Sequence, residues 1–427
     1  VRFRPEKGRT KQTIKQYVDL GDLAPLSKFI LPACTLLNSL KAICERVFTV
    51  TKNGNQIPVP KPHKLIERID PKFTKERSIF DRLDSFRAKI NNYVRLQFDG
   101  GAPDRLLRLE FLKLVPRHKF KLYDDVIKGM SSPYITRNFS NVSAFIKSEK
   151  TENLIKLNPV PRVVSPRHPQ YNVELGTYIK HLEHHYYHAI DSLFEVGQPN
   201  HGPSVMKFYN ADEIATHMWR KWNYFDEPIA IGLDMSRFDQ HIGKDALKFE
   251  HSFYTAMYTG ADRKYLEKLL SWQLSYKCTM NTTDGYVIQY DAGCRCSGDQ
   301  NTALGNTLIM CALLYQFRLD SNIHFEMIDN GDDCVLFMEK ANLQKFLNFN
   351  IVKWMLEFGF EVKVEPPISV FEKVSFCQLQ PIKMSEGHYR MSRDPRVAIG
   401  KDCISLTYPH SQCDYDKWRN SVSLGGQ

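Results

Sequence analysis

Asn330-Gly331-Asp332-Asp333 lies between two apolar runs, with Ile323, Phe325, Met327 and Ile328 leading in and Cys334-Val335-Leu336-Phe337-Met338 leading out. Asn-Gly supplies the positive φ that a two-residue type I′ turn needs, so the stretch reads as a β-hairpin with two adjacent carboxylates at its tip. Strands this apolar are buried, and the Asp pair then projects from the edge of a packed sheet. Like charges that close raise each other's pKa unless a cation lies between them, and a divalent ion is the usual answer. Taken alone, the turn reads as a solvated loop. Partner carboxylates elsewhere in the chain decide between the two.

The chain's 427 residues suffice for two or three packed subdomains around at least one large core. A hydrophobic share of 42% with 12% aromatic residues excludes a disordered chain. The net charge of +10 arises from Lys and Arg scattered along the sequence and fits a polyanionic partner. The ten cysteines are dispersed, with Cys294 and Cys296 the only close pair, so neither a disulfide framework nor a zinc ribbon is indicated and a reducing, cytosolic setting fits. No stretch is long and apolar enough to span a bilayer: the best, Phe29 to Leu40, is broken by Pro32 and Asn38. A start at Val1 in place of Met suggests a fragment, a processed product or a fusion boundary.

From Ser143 onward, Ala144 to Lys150 reads as a strand with exposed lysines, and Lys156, Arg162 and Arg167 follow among Pro159, Pro161, Pro166 and Pro169. Prolines hold these cations on a stiff, extended backbone that suits gripping a phosphate chain, although by itself the segment reads first as a basic connecting loop. Tyr178 to Leu193 has a helical pattern in which His184 and His188 are four apart, but without a third ligand a packed, partly polar helix is preferred to a zinc site.

Ile229 to Leu233 is apolar at nearly every position, as in a central strand, and ends in Asp234-Met235-Ser236-Arg237-Phe238-Asp239. If this strand lies beside the hairpin, Asp234 meets Asp332. Three such carboxylates would repel one another unless they bind Mg²⁺ or Mn²⁺ through hard oxygen ligands. Between them, Gly298 marks a turn, Asp299 is placed to cap a helix, and that helix carries Thr302 and Asn306 four apart on one face.

In order and spacing, Asp234-x4-Asp239, Ser297-Gly298-x3-Thr302-x3-Asn306 and Gly331-Asp332-Asp333 resemble the palm motifs of a viral RNA-dependent RNA polymerase. The resemblance is closer still to the tombusvirus and carmovirus group of positive-strand RNA viruses, through Pro159-Val160-Pro161-Arg162-Val163, Ser236 to His241, Asn330 to Cys334 and Phe376-Cys377-Gln378. It spans roughly Phe145 to Ile399; residues 1–140 match only diffusely.

The resemblance implies an α+β right-hand polymerase: fingers, palm and thumb, an antiparallel RRM-like palm sheet flanked by helices, and helical fingers and thumb. Its divisions would be an N-terminal extension and fingers at 1–228, palm at 229–243, a fingers insertion at 244–290, palm again at 291–382 and a thumb at 383–427. Asp234 and Asp332 would hold two Mg²⁺ or Mn²⁺ ions, with Asp333 in support. Asp239 and Asn306, aided by Ser297, Gly298 and Thr302, would read the ribose 2′-hydroxyl, and Lys147, Lys150, Lys156, Arg162 and Arg167 would line the triphosphate's approach. Phe376, Cys377 and Gln378 would form the strand gripping the primer end, and Lys363, with Lys373 as alternative, would be the general acid. Implied partners are template and product RNA, ribonucleoside triphosphates, an auxiliary viral replication protein and host factors, in membrane-associated complexes of the host cytoplasm whose anchor lies outside this chain. The thumb is expected to be short. A reverse transcriptase or DNA polymerase is disfavoured by Asp239 with Asn306, and a catalytically silent RNA-binding scaffold by the full set of carboxylates.

Overall fold

The computed structural model describes side chains at residues 33–43, 78–149, 160–195, 202–398, 402 and 411–423, and elsewhere only the backbone of short elements such as Arg2–Pro5. At its centre is a four-stranded antiparallel sheet in the spatial order Glu326–Asp329, Asp333–Glu339, Pro228–Met235, Val362–Val364. Side chains alternate across it. Ile231, Leu233, Met235, Cys334 and Leu336 face a large helical core that includes Leu304, Leu308 and Ile309 of the helix Thr302–Ser321. Ala230, Ile328, Val335 and Phe337 face a second cluster, built from Met218 and Trp222 of the helix Ala211–Trp222 together with Phe371 and Phe376. Both faces are covered, so Ile229 to Leu233 is apolar throughout instead of alternating.

The hairpin forms, but its turn is displaced by one residue. Asp329 pairs with Cys334 and the Asn330 N–H donates to Asp333 O at 2.9 Å, which leaves Gly331 and Asp332, not Asn330 and Gly331, as the loop residues. Of the four, only Gly331 has a positive φ, +93°, the glycine-first pattern of a type II′ turn. Asp329 accounts for the shift: its carboxylate accepts the Gly331 N–H at 2.9 Å and draws the loop one residue onward.

The region expected as helical fingers is mixed. The helices Lys244–Thr255 and Gly260–Ser271 precede a hairpin, Tyr276–Asn281 with Tyr286–Ala292, that belongs to a five-stranded sheet including Val142–Ile146 and Val163–Val164. The alternating burial along Tyr276–Asn281 is the period-two pattern of a half-buried strand, a signal present in its Tyr-x-Cys-x-Met spacing. The strand expected over Ala144 to Lys150 is shorter, Val142–Ile146. Past the central sheet, a second hairpin, Leu379–Lys383 with Tyr389–Arg393, precedes the helices Pro395–Asp402 and Gln412–Gly425, so the expected helical thumb begins in β-structure. Among the described residues no helix is long and apolar enough to cross a membrane.

Candidate active site

Strand register brings the carboxylates together. Asp234 is the Cα partner of Asp333 on one side and of Lys363 on the other, and Asp332 sits at the loop tip beside them. The three acids line a cleft of about 600 Å³ together with Arg162, Arg237 and Asp239. The Asp333 carboxyl is raised, first by partial burial and then by the charge of Asp332. Beneath the turn, burial pushes the Asp329 carboxyl up to about 8.

Among the described residues no three acidic, His or Cys side chains converge closely enough to form a complete metal site by themselves. The available donors are carboxylate oxygens on two neighbouring strands, Asp234 and Asp333, and on the hairpin loop that leads into the second of them, Asp332. This donor set suits a hard divalent cation held by one or two carboxylates, with substrate phosphates and water filling the remaining positions. A cation there also removes the repulsion that raises Asp333. His184 is engaged differently, its ring stacked on Phe208 at 4.4 Å and 19°.

Asp239 and Asn306, 67 residues apart, meet directly: Asn306 Nδ2 donates to Asp239 Oδ1 at 2.8 Å. The opposite end of the amide is also fixed, because Arg295 Nε donates to Asn306 Oδ1 at 3.2 Å. Burial raises the Asp239 carboxyl, with the Asn306 hydrogen bond and the Arg295 charge opposing it. Arg295 in turn is ion-paired with Glu250, both side chains fully buried. Glu250 also accepts from Tyr254 Oη at 2.7 Å and from Asn301 Nδ2 at 2.6 Å, and Asn301 Oδ1 accepts from Gln273 at 2.8 Å. Sequence reasoning missed Arg295 and Glu250. The available signal was Glu250 itself, a carboxylate on the buried face of its helix between Leu247 and Phe253, a position that demands a buried cation.

Ser297, Gly298 and Thr302 shape the loop before this helix. Ser297 Oγ accepts from Ser165 N at 3.2 Å, and Thr302 Oγ1 donates to Cys296 O at 2.8 Å. Gly298 is needed for close approach, since a Cβ there would lie 2.6 Å from Pro166 Cα. Asp299 does not cap the helix with its side chain. It pairs with Arg167, and this corrects the placing of Arg167 on the triphosphate's path: both side chains are fully buried, with the guanidinium also donating to Ser140 O and lying over the Tyr276 ring at 4.3 Å. Arg162 and Lys147 remain at the surface, each 3.6 Å from Glu149. Lys150 and Lys156 lie outside the described residues.

Phe376-Cys377-Gln378 is a turn and not a strand. Phe376 and Leu379 exchange both backbone hydrogen bonds at 2.9 Å, while Cys377 and Gln378 have φ of +51° and +63°, as a type I′ loop requires. The Phe376 side chain is buried in the second cluster. Cys377 docks the turn on the hairpin that carries Asp332 and Asp333, its Sγ accepting from Asn330 Nδ2 at 3.2 Å. Gln378 is exposed. Lys363 makes no ion pair among the described residues and, as the register partner of Asp234, projects from the same face of the sheet.

The fold and site together define an α+β protein whose central antiparallel sheet presents carboxylates from two adjacent strands into a cleft bordered by arginines. A family model described as viral RNA dependent RNA polymerase matches residues 4–427, and the chain belongs to that family. It is 36% identical over 405 residues to the RNA-directed RNA polymerase of Cucumber necrosis virus, covering 94% of this chain and 45% of the relative. Identity is 34% over 419 residues to that of Melon necrotic spot virus, covering 98% and 49%, and 35% over 389 residues to that of Carnation mottle virus, covering 91% and 47%. The chain thus spans about half the length of these curated relatives.

Proposed function

We propose that this chain performs RNA-templated RNA synthesis, joining ribonucleoside triphosphates to an RNA 3′ end in the replication of a positive-strand RNA virus, with the fingers, palm and thumb divided as the family resemblance implies. The observation that carries the reading is the Asp239–Asn306 hydrogen bond in the same cleft as Asp234, Asp332 and Asp333. Asp234 and Asp332, supported by Asp333, would hold two Mg²⁺ or Mn²⁺ ions, which when bound supply triphosphate charge neutralisation and a more acidic attacking hydroxyl. Asp239 keeps a second carboxylate oxygen to accept from the ribose 2′-hydroxyl, while Arg295 fixes the Asn306 amide that orients it. A deoxynucleotide leaves that acceptor unpaired, which is the basis of rejection. Lys147 and Arg162, with Lys150 and Lys156, contact the triphosphate. Cys377 and Gln378 form the tip that abuts the primer end, and Lys363 donates a proton to the leaving pyrophosphate oxygen. The partners are template and product RNA, with an auxiliary viral replication protein and host factors at membrane-associated complexes of the host cytoplasm.

Sugar discrimination tests this reading. Asn306→Ala is expected to narrow the preference for ribo- over deoxynucleotides about tenfold, the worth of one buried hydrogen bond, in single-nucleotide primer extension with each sugar. An unchanged ratio would remove Asn306 from the role. Lys363→Leu is expected to lower kcat by about a hundredfold, at the low end for a lost general acid, with nucleotide KM retained; a wild-type kcat would assign the proton elsewhere.

A further inference from the structure

Lys207 reaches the turn that carries Asp332 with Phe208 next to it in the chain, and neither residue lines the cleft that holds the carboxylates. The preceding segment adds to the free edge of the strand Glu326–Asp329: Asp329 N donates to Ser204 O and Met206 N donates to Asp329 O, each at 2.8 Å, with Val205 bridging Asp329 in parallel. The next two residues therefore arrive at the hairpin tip, where Lys207 Nζ donates to Asn330 O at 3.1 Å. Phe208 follows with a φ of +73°, a left-handed conformation that is strained for a bulky side chain and that, where it occurs, clusters at ligand sites.

The Phe208 ring is 65% exposed despite that strain. It is nonetheless held in place, stacked on His184 at 4.4 Å and tilted against Tyr187 at 5.9 Å. Core packing accounts for neither feature, because a ring serving the core would be buried and an idle surface position has no need of a strained backbone. What the geometry provides is a supported aromatic face turned to solvent, with a cation beside it, adjoining the turn that carries Asp332. Aromatic faces of this kind stack nucleic-acid bases with little regard to sequence.

We propose that Phe208 is a stacking platform for the terminal base of the growing RNA strand, with Lys207 supplying positive charge near its phosphates. The proposal rests on the polymerase reading, which places a strand end at Asp234 and Asp332. Steady-state primed extension on an RNA template, with the full chain, tests it through Phe208→Gly and Phe208→Tyr. Phe208→Gly is expected to raise the KM for primer–template about tenfold, as loss of one base–aromatic stack does, while kcat, ribonucleotide KM and Tm are kept or, for Tm, raised by relief of the positive φ. Phe208→Tyr retains wild-type values. A fluorescent base analogue at the primer 3′ end, quenched by stacking, is expected to brighten in the Phe208→Gly complex. Wild-type KM and quenching in Phe208→Gly overturn the proposal, as does a fall in Tm with a parallel fall in kcat at constant KM. If the wild-type chain extends no primer, the polymerase reading fails, and the quenching measurement still decides whether Phe208 stacks on an RNA end.

Discussion

Asp332→Ala is expected to lower ribonucleotide incorporation by about a thousandfold or more, because in the proposed reaction several kcal/mol of charge stabilisation would depend on its carboxylate. The fold does not depend on it. Asp332 is exposed at the tip of a two-residue loop whose geometry is set by Gly331 and the Asp329 carboxyl beneath, so the thermal melting curve stays at wild type. RNA binding persists or tightens slightly, since the substitution removes a negative charge from a basic protein. Primer extension, melting and fluorescence anisotropy with labelled RNA read the three effects separately. Appreciable residual incorporation would take Asp332 out of the reaction, whereas loss of binding together with melting would show misfolding.

Arg295→Ala has the second-largest expected effect, and it falls on stability and on selectivity through different bonds. It strands the Glu250 carboxylate without its cation in a fully buried position, which costs about 3–5 kcal/mol. Removing the pair as a unit is far milder. In Arg295→Met combined with Glu250→Gln, the amide oxygen still accepts from Tyr254 and Asn301, and much of the lost stability returns. Selectivity does not return, because Asn306 Oδ1 has lost the Nε donor that holds its amide toward Asp239. The double variant is therefore expected to melt near wild type while its ribo/deoxy ratio narrows as in Asn306→Ala. Denaturant melts and paired extension assays measure this, and full discrimination in the double variant would leave Arg295 a purely structural residue.

That Asp234 meets the Asp332-Asp333 turn was legible because each apolar run abuts its carboxylate, so strands laid side by side bring those ends together. The register partner, expected as Asp332, is Asp333, because runs apolar on both faces do not fix register to the residue. Asp239 with Asn306 was legible through the family resemblance, since helical spacing grouped Asn306 only with Thr302. The turn position was not, because a buried carboxyl below the loop decides it. Nor was the fate of Arg167: a proline-flanked arginine reads as a surface cation until its partner Asp299, 132 residues away, is known to share its burial. Phe376 misled for a similar reason. It adjoins exposed Gln378 in sequence, yet the turn between them sends one side chain into the core and leaves the other in solvent. Arg167 and Phe376 were missed through long-range polar and packing partners that local spacing does not carry, whereas the turn was missed through a local one, Asp329, whose burial beneath the loop the spacing did not show.

The most direct test of the account supplies the full chain with a primed RNA template, Mg²⁺ or Mn²⁺, and either ribo- or deoxynucleoside triphosphates. Template-directed, cation-dependent extension with ribonucleotides strongly preferred is the expected result. Extension that prefers deoxynucleotides, or that proceeds undiminished in chelator, would contradict it.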